Sequence, residues 1–185
     1  MTPRDEHDAA RAVDLYQFEG AGVYQEGDDR ARIRGYFPLS PGTPNASDVG
    51  AEDLMLVCIE IEPGNYLPSH RDSNEELLVV TDGAVEATVG DGTIDLQAGQ
   101  YAVVPEMVPH GLHNAGDETA RLLGFFPETE LTAAFEETLQ PFGTDVVTIG
   151  GTPPESEPEG RRPRGGNPPA GSHSSDPGRF LRFER

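Results

Sequence analysis

The chain has 185 residues, a length suited to one domain with extensions. Its 33 acidic residues stand against 13 basic ones, all Arg, for a formal net charge of −20, an excess that repels nucleic acid and anionic membranes. The absence of Lys excludes Schiff-base chemistry and a P-loop, and the single Cys58 excludes an intrachain disulfide or a Cys-based zinc cluster.

So large a charge destabilises a compact domain by self-repulsion unless salt screens it. An acidic, Lys-free, Arg-retaining composition is that of a halophilic proteome and points to a halophilic archaeon. No apolar run approaches the ~20 residues that a membrane-spanning helix needs. The start, MTPRDEHDAARAVD, is polar and acidic and lacks the basic and apolar stretches of a secretory signal, so the expected location is the cytoplasm.

Residues 1–12 read as a flexible acidic arm carrying His7. The segments DLYQFEGAGVYQ and ARIRGYFPL read as short strands separated by EGDDR, and SPGTPNASDVGAED, dense in turn formers, reads as a loop. LMLVCIEIE is a strand run rich in β-branched residues, and Cys58 within it reads as a packed, inert thiol. ELLVV, AVEATV and TIDL follow, with Asp91-Gly92 as a hairpin signal between the last two. YAVVP, GLHNA and ARLLGFF continue the series. Strands this short and regularly punctuated predict an all-β sandwich or barrel.

In ETELTAAFEETL, Leu131, Phe135 and Leu139 recur every four residues, which predicts one short helix outside the barrel, ended by Pro141. DVVTI adds a final strand. Residues 13–149 thus form the predicted barrel domain. Residues 150–185, rich in Pro, Gly and Ser, cannot build a core and read as a disordered tail, with His173 solvated and FLRF as a weak anchor. The tail holds 5 acids and 6 Arg, which leaves a net charge of −21 on the body.

Two segments carry chemistry. In GNYLPSHRDSNEELLVVTDG, His70, Asp72 and Glu76 share parity, so an extended backbone points one imidazole and two carboxylates the same way. GQYAVVPEMVPHGLHN supplies His110 from a separate strand. Two His with one or two carboxylates inside a β-structure predict a metal site. Glu75 and His113 have the opposite parity and are expected on the other face. Leu78 and Val80 share the parity of Glu76 and would make the wall beside the metal apolar. Tyr66 and Tyr101 are expected in the rim or the core. No G-x-S-x-G, H-E-x-x-H or strand-following G-x-G-x-x-G competes.

The two segments resemble the paired motifs of the cupin superfamily. Gly64, His70, Glu76 and Gly83 fit G-x5-H-x-H-x3-E-x6-G; Gly99, Pro105, His110 and Asn114 fit G-x5-P-x-G-x2-H-x3-N. Asp72 stands where the second His is usual, and Met107 stands where a Gly is usual, which suggests a slightly different turn. The resemblance covers about residues 60–126 and implies an all-β jelly-roll (double-stranded β-helix) barrel. It further implies metal ligands His70, Asp72, Glu76 and His110, with Asp72 either on the metal or orienting a neighbour. It favours Fe²⁺ or Mn²⁺, with Zn²⁺ or Ni²⁺ acceptable. The implied activity is that of a dioxygenase, isomerase or lyase on a small organic molecule, with Glu76 as base and Asp72 as a second candidate. Non-catalytic ligand binding or sensing is the alternative. Pairing through barrel edges implies a homodimer.

Overall fold

Alternation of inward and outward side chains sorts several strands of this protein into a core face and an outer face. Ala120, Leu122, Gly124 and Phe126 are buried, while the residues between them are half-exposed. The structure is a computed structural model and describes residues 12–40, 43, 46, 47, 51 and 53–151. Among these it contains twelve strands and no helix. They are β1 (Ala21–Gln25), β2 (Asp28–Tyr36), β3 (Met55–Ile61), β4 (Tyr66–Asp72), β5 (Glu76–Asp82) and β6 (Ala84–Val89). Then come β7 (Gly92–Gln97), β8 (Tyr101–Val104), β9 (His110–His113), β10 (Ala120–Phe126), β11 (Glu130–Gln140) and β12 (Thr144–Gly150).

The strands hydrogen-bond in the order β7-β6-β9-β4-β11-β1-β2-β3-β10-β5-β8, with β12 on the flank of β11. This path curls on itself. His110 of β9 and Glu76 of β5 sit far apart along it, yet their side chains approach to 3.4 Å. The predicted all-β barrel is therefore present. Its main core joins Met55, Ile61, Leu78, Val80, Leu112 and Leu122 with residues of the other strands. A smaller cluster of Tyr36, Leu56 and Cys58 lies beside it and is packed by Leu15, Leu39, Leu123 and Phe125. Burial raises the Cys58 thiol to about 12, in keeping with an inert packed group.

Several expectations need correction. The helix read over ETELTAAFEETL is strand β11, paired to β12, β4 and β1. A repeat of four is also a multiple of two, so Leu131, Phe135 and Leu139 share one face of a strand as readily as of a helix. Ala133, buried between them, completes the strand reading. The hairpin between β6 and β7 turns at Gly90-Asp91, because Val89 pairs with Gly92. Gly90 has φ 59°, which fits a type II′ turn with Gly in its first central position. Only Ala21–Gln25 of the first predicted strand is extended; Asp14–Phe18 is a turn, with Tyr16 edge-on to Tyr36. Most of the 40–53 loop, the arm up to residue 11 and the tail from residue 152 lie outside the described residues.

Asn114 ties the end of β3 to the loop that follows β9. It is fully buried, donates from Nδ2 to the Ile61 carbonyl at 2.7 Å and to the Glu118 carbonyl at 2.8 Å, and accepts the Gly116 N–H at 3.0 Å. Replacing it by Ala removes a donor from the buried Ile61 carbonyl and the partners of the part-buried Glu118 carbonyl and Gly116 N–H. Asn114→Ala is expected to cost about 1–3 kcal/mol in chemical denaturation while the residual folded protein keeps its metal-binding stoichiometry. An unchanged unfolding midpoint would show that water replaces the amide without loss.

Candidate metal centre

His70 and Asp72 end β4, and Glu76 begins β5, so the three do not share one continuous strand. A corner at Ser73–Glu75 separates them and preserves their parity. The corner is latched to β11: the Ser73 N–H donates to the Thr132 carbonyl at 2.9 Å, and the Thr132 N–H donates to Ser73 Oγ at 3.0 Å. Asn74 Nδ2 reaches the Glu130 carbonyl at 3.4 Å. Across from β4, a register shift between Leu67 and His70 sets His70 opposite His110 of β9.

All four side chains point inward, at 7 % exposure for His70, 3 % for Asp72, 4 % for Glu76 and 3 % for His110. Each imidazole is anchored through Nδ1 to a backbone carbonyl, His70 to Pro68 at 2.9 Å and His110 to Val108 at 3.0 Å. A carbonyl can only accept, so Nδ1 carries the proton in both rings and Nε2 faces the centre. His70 Nε2 lies 3.7 Å from Asp72 Oδ2; His110 Nε2 lies 3.5 Å from the same oxygen and 3.4 Å from Glu76 Oε2. Despite these approaches, His110 Nε2 and Asp72 Oδ1 are buried without a hydrogen-bond partner. Orphaned donor atoms among two imidazoles and two carboxylates fit a divalent cation. The donor atoms of His70, Asp72 and His110 all lie within 4.8 Å of one another, whereas Glu76 stands outside that set.

The two imidazoles titrate in opposite directions. Burial pulls His70 down to about 4, against the weaker pull of Asp72. Burial also lowers His110, but Asp72 and Glu76 outweigh it and raise that group to about 10. Burial raises the Glu76 carboxyl, and the charge of Asp72 adds to the rise.

The four residues occupy one end of a cavity of about 80 Å³. The rest of its wall is apolar and comes from β1, β2, β3, β4, β9, β10, β11 and β12 and from Phe37 and Phe142 beside them, with Phe126 and Phe135 among the lining. Leu78 and Val80 are buried as predicted but pack in the core, outside this lining. Phe135, assigned to a helix in the sequence reading, stacks on His70 with ring centroids 4.7 Å apart and planes 17° from parallel. Its odd-numbered parity with Leu131, Ala133 and Leu139 is the signal that could have placed it here.

The remaining residues fall as follows. Glu75 is exposed, as expected. His113 lines a separate outer groove with Arg30, Tyr66 and Glu86. Tyr66 donates to Asp28 at 2.7 Å, and Tyr101 is 66 % exposed. His7 and His173 lie outside the described residues. Met107 does not relieve the turn at the motif's glycine position: it adopts φ 60° itself. Its N–H donates to the Asp72 carbonyl at 2.9 Å, and its carbonyl accepts Arg71 Nη1 at 2.7 Å, which ties this loop to the end of β4.

Residues 57–126 match the family described as "Cupin domain". Protein SchB of Streptomyces halstedii is 29% identical over 106 residues, spanning 52% of this chain and 77% of SchB. Among solved structures, the polyketide cyclase RemF from Streptomyces resistomycificus is similar with a TM-score of 0.52 at 22% identity, over 64% of this chain and 79% of RemF. Oxalate decarboxylase from Lactobacillus farciminis gives a TM-score of 0.48 at 22% identity, over 60% of this chain and 31% of its own. Residues 57–126 of the barrel are thus similar to a cupin domain.

A cation must displace the proton that His110 holds in the metal-free protein. Mn²⁺ titrated calorimetrically at about pH 8, in buffers of different ionisation enthalpy, is expected to release about one proton per ion. The release should fade as the pH passes about 10. Heats that do not depend on the buffer would show His110 to be neutral beforehand.

Proposed function

We propose that this barrel is a mononuclear metal-dependent enzyme that moves a proton on a small, largely apolar organic substrate. One observation carries the reading: two imidazoles and two carboxylates are buried together at one end of a cavity whose other walls are apolar and rich in phenyl rings. Such a site binds a hydrocarbon or aromatic body by expelling water and orients it through the polar end. His70, Asp72 and His110 would hold the cation, and their mixed nitrogen and oxygen donors suit Fe²⁺ or Mn²⁺, with Zn²⁺ or Ni²⁺ acceptable. When bound, the cation supplies Lewis-acid polarisation of a substrate oxygen.

The chain's own residues supply the rest. Phe135 and the other phenyl rings hold the substrate body. Glu76, whose carboxyl is raised by burial, accepts a proton from carbon and returns it at a second atom, so the carboxylate is regenerated. Isomerase and lyase reactions share that requirement. Ring closure on a polyketide, the activity for which RemF is named, is one such reaction. Dioxygenase chemistry on the same donors would consume O₂ as well, which an oxygen electrode separates.

The acidic, Lys-free composition suits a salt-rich cytoplasm. Among the described residues no helix is long and apolar enough to cross a membrane. A homodimer would use β8, which ends the hydrogen-bonded path and presents Tyr101, Val103 and neighbouring Leu77 at 66 %, 48 % and 39 % exposure.

Elemental analysis tests the reading first, on protein purified in KCl without chelators or a nickel column. The expected result is about one Fe or Mn per chain, lost in His110→Ala and weakened at least about tenfold in Asp72→Ala. No metal even after reconstitution would overturn it. With metal present, phenolic and β-dicarbonyl compounds incubated in deuterated water separate turnover from capture. An enzyme washes deuterium into carbon, and Glu76→Gln binds the same compounds without exchange; binding without exchange in the wild type would leave a ligand-binding cupin.

A further inference from the structure

Strand β10 runs behind Glu76 and carries a glycine at the point of closest approach. The inward positions of β10 are Ala120, Leu122, Gly124 and Phe126, so Gly124 is the one that presents no side chain to the interior. A β-carbon added at Gly124 would overlap Glu76 Oε1 and lie 3.3 Å from its Cδ and from Phe126 Cε2. No real β-carbon tolerates that overlap, so the carboxylate would have to move. The carboxylate therefore occupies the space that a side chain at 124 would fill.

The backbone does not call for this glycine. Gly124 is absent from the positive-φ glycines of the chain and lies in a central strand, paired to Val57 on one side and Leu78 on the other. Glycine weakens such a position and marks a close approach. Here the group that approaches is Glu76. With Oε1 drawn back to β10 and Oε2 at 3.4 Å from His110 Nε2, Glu76 stands outside the His70, Asp72 and His110 set.

We infer that Gly124 is a positioning residue that lets the Glu76 carboxylate stand back from a cation held by His70, Asp72 and His110, as a base facing the cavity and not as a permanent fourth ligand. This rests on the metal-centre reading above. The recess explains how Asp72, replacing the usual imidazole, and Glu76 serve in one centre: one carboxylate holds the cation and the other is free for substrate. Gly124→Ala closes the recess and drives Glu76 forward.

The test uses Mn²⁺ binding to the full chain, read by calorimetry and by the electron paramagnetic resonance of bound Mn²⁺. In the wild-type background, Glu76→Gln is expected to change Mn²⁺ affinity by less than about threefold, whereas His110→Ala weakens it by about a hundredfold or more. Gly124→Ala is expected to tighten Mn²⁺ binding about tenfold and to alter the Mn²⁺ spectrum, and adding Glu76→Gln removes both effects. A loss in Glu76→Gln as large as in His110→Ala overturns the inference without recourse to Gly124→Ala, should that variant fold poorly. So does a Gly124→Ala protein that folds and binds Mn²⁺ as the wild type does. Wild-type protein that binds no Mn²⁺ overturns the metal centre itself, a distinguishable result.

Discussion

Asp72 and Glu76 are enclosed in a barrel whose interior is otherwise hydrocarbon, and the surroundings of the site are arranged around that cost. Moving a carboxylate out of water costs several kcal/mol even after the protein relaxes, so a buried pair needs positive charge close by. His110 is placed to supply it, within 3.5 Å of both carboxylates, and for that reason holds its proton in the metal-free protein. His70 has the same type of backbone anchor but lies 3.7 Å from Asp72 alone, and burial keeps it neutral. The closer approach of Asp72 and the added contact with Glu76 thus separate two imidazoles that share one type of backbone anchor. A divalent cation would take over the role of the His110 proton with twice the charge and would engage atoms that now have no partner.

That arrangement depends on β11 more than on any other strand outside the two motifs. Its backbone, through Thr132 and the Glu130 carbonyl, holds the corner between β4 and β5 that separates Asp72 from Glu76. Its inward residues line the cavity, and Phe135 covers the face of His70. An imidazole held at Nδ1 by a carbonyl and on one face by a phenyl ring has little freedom to turn Nε2 away from the centre. Positioning of this kind lets a site on short strands keep its geometry without a rigid helix behind it.

The outside of the molecule follows a different rule. Five Arg stand among the described residues against an excess of acid, and two of them show how they are used. Arg121 bonds Glu60 at 2.9 Å, reaches Asp82 at 3.5 Å and lies over the Tyr16 ring at 5.4 Å. Arg71 is used to secure the Met107 loop. Most of the remaining surface charge is left to solvent and salt. The interior carboxylates are the opposite case, since a buried pair is screened little and must be neutralised locally.

The extended strands, the barrel and the two inward-pointing ligand segments were legible in the sequence because strand parity is a local property. Residues two apart share a face whatever the rest of the chain does. His70, Asp72, Glu76 and His110 converge for that reason, even though a corner interrupts the first three. Period four in Leu131, Phe135 and Leu139 fits both helix and strand, and only pairing with β4 and β12 decided between them. Tertiary packing likewise decided the makeup of the cavity wall, the stacking of Phe135 on His70 and the recess at Gly124. Each of these joins side chains from strands far apart in the chain, and no local spacing encodes which distant strand lies opposite. Chemical identity and parity were the sequence's to determine; the standing of Glu76 apart from His70, Asp72 and His110 belongs to the closed barrel, because a side chain absent from one strand makes the space that a carboxylate from another fills.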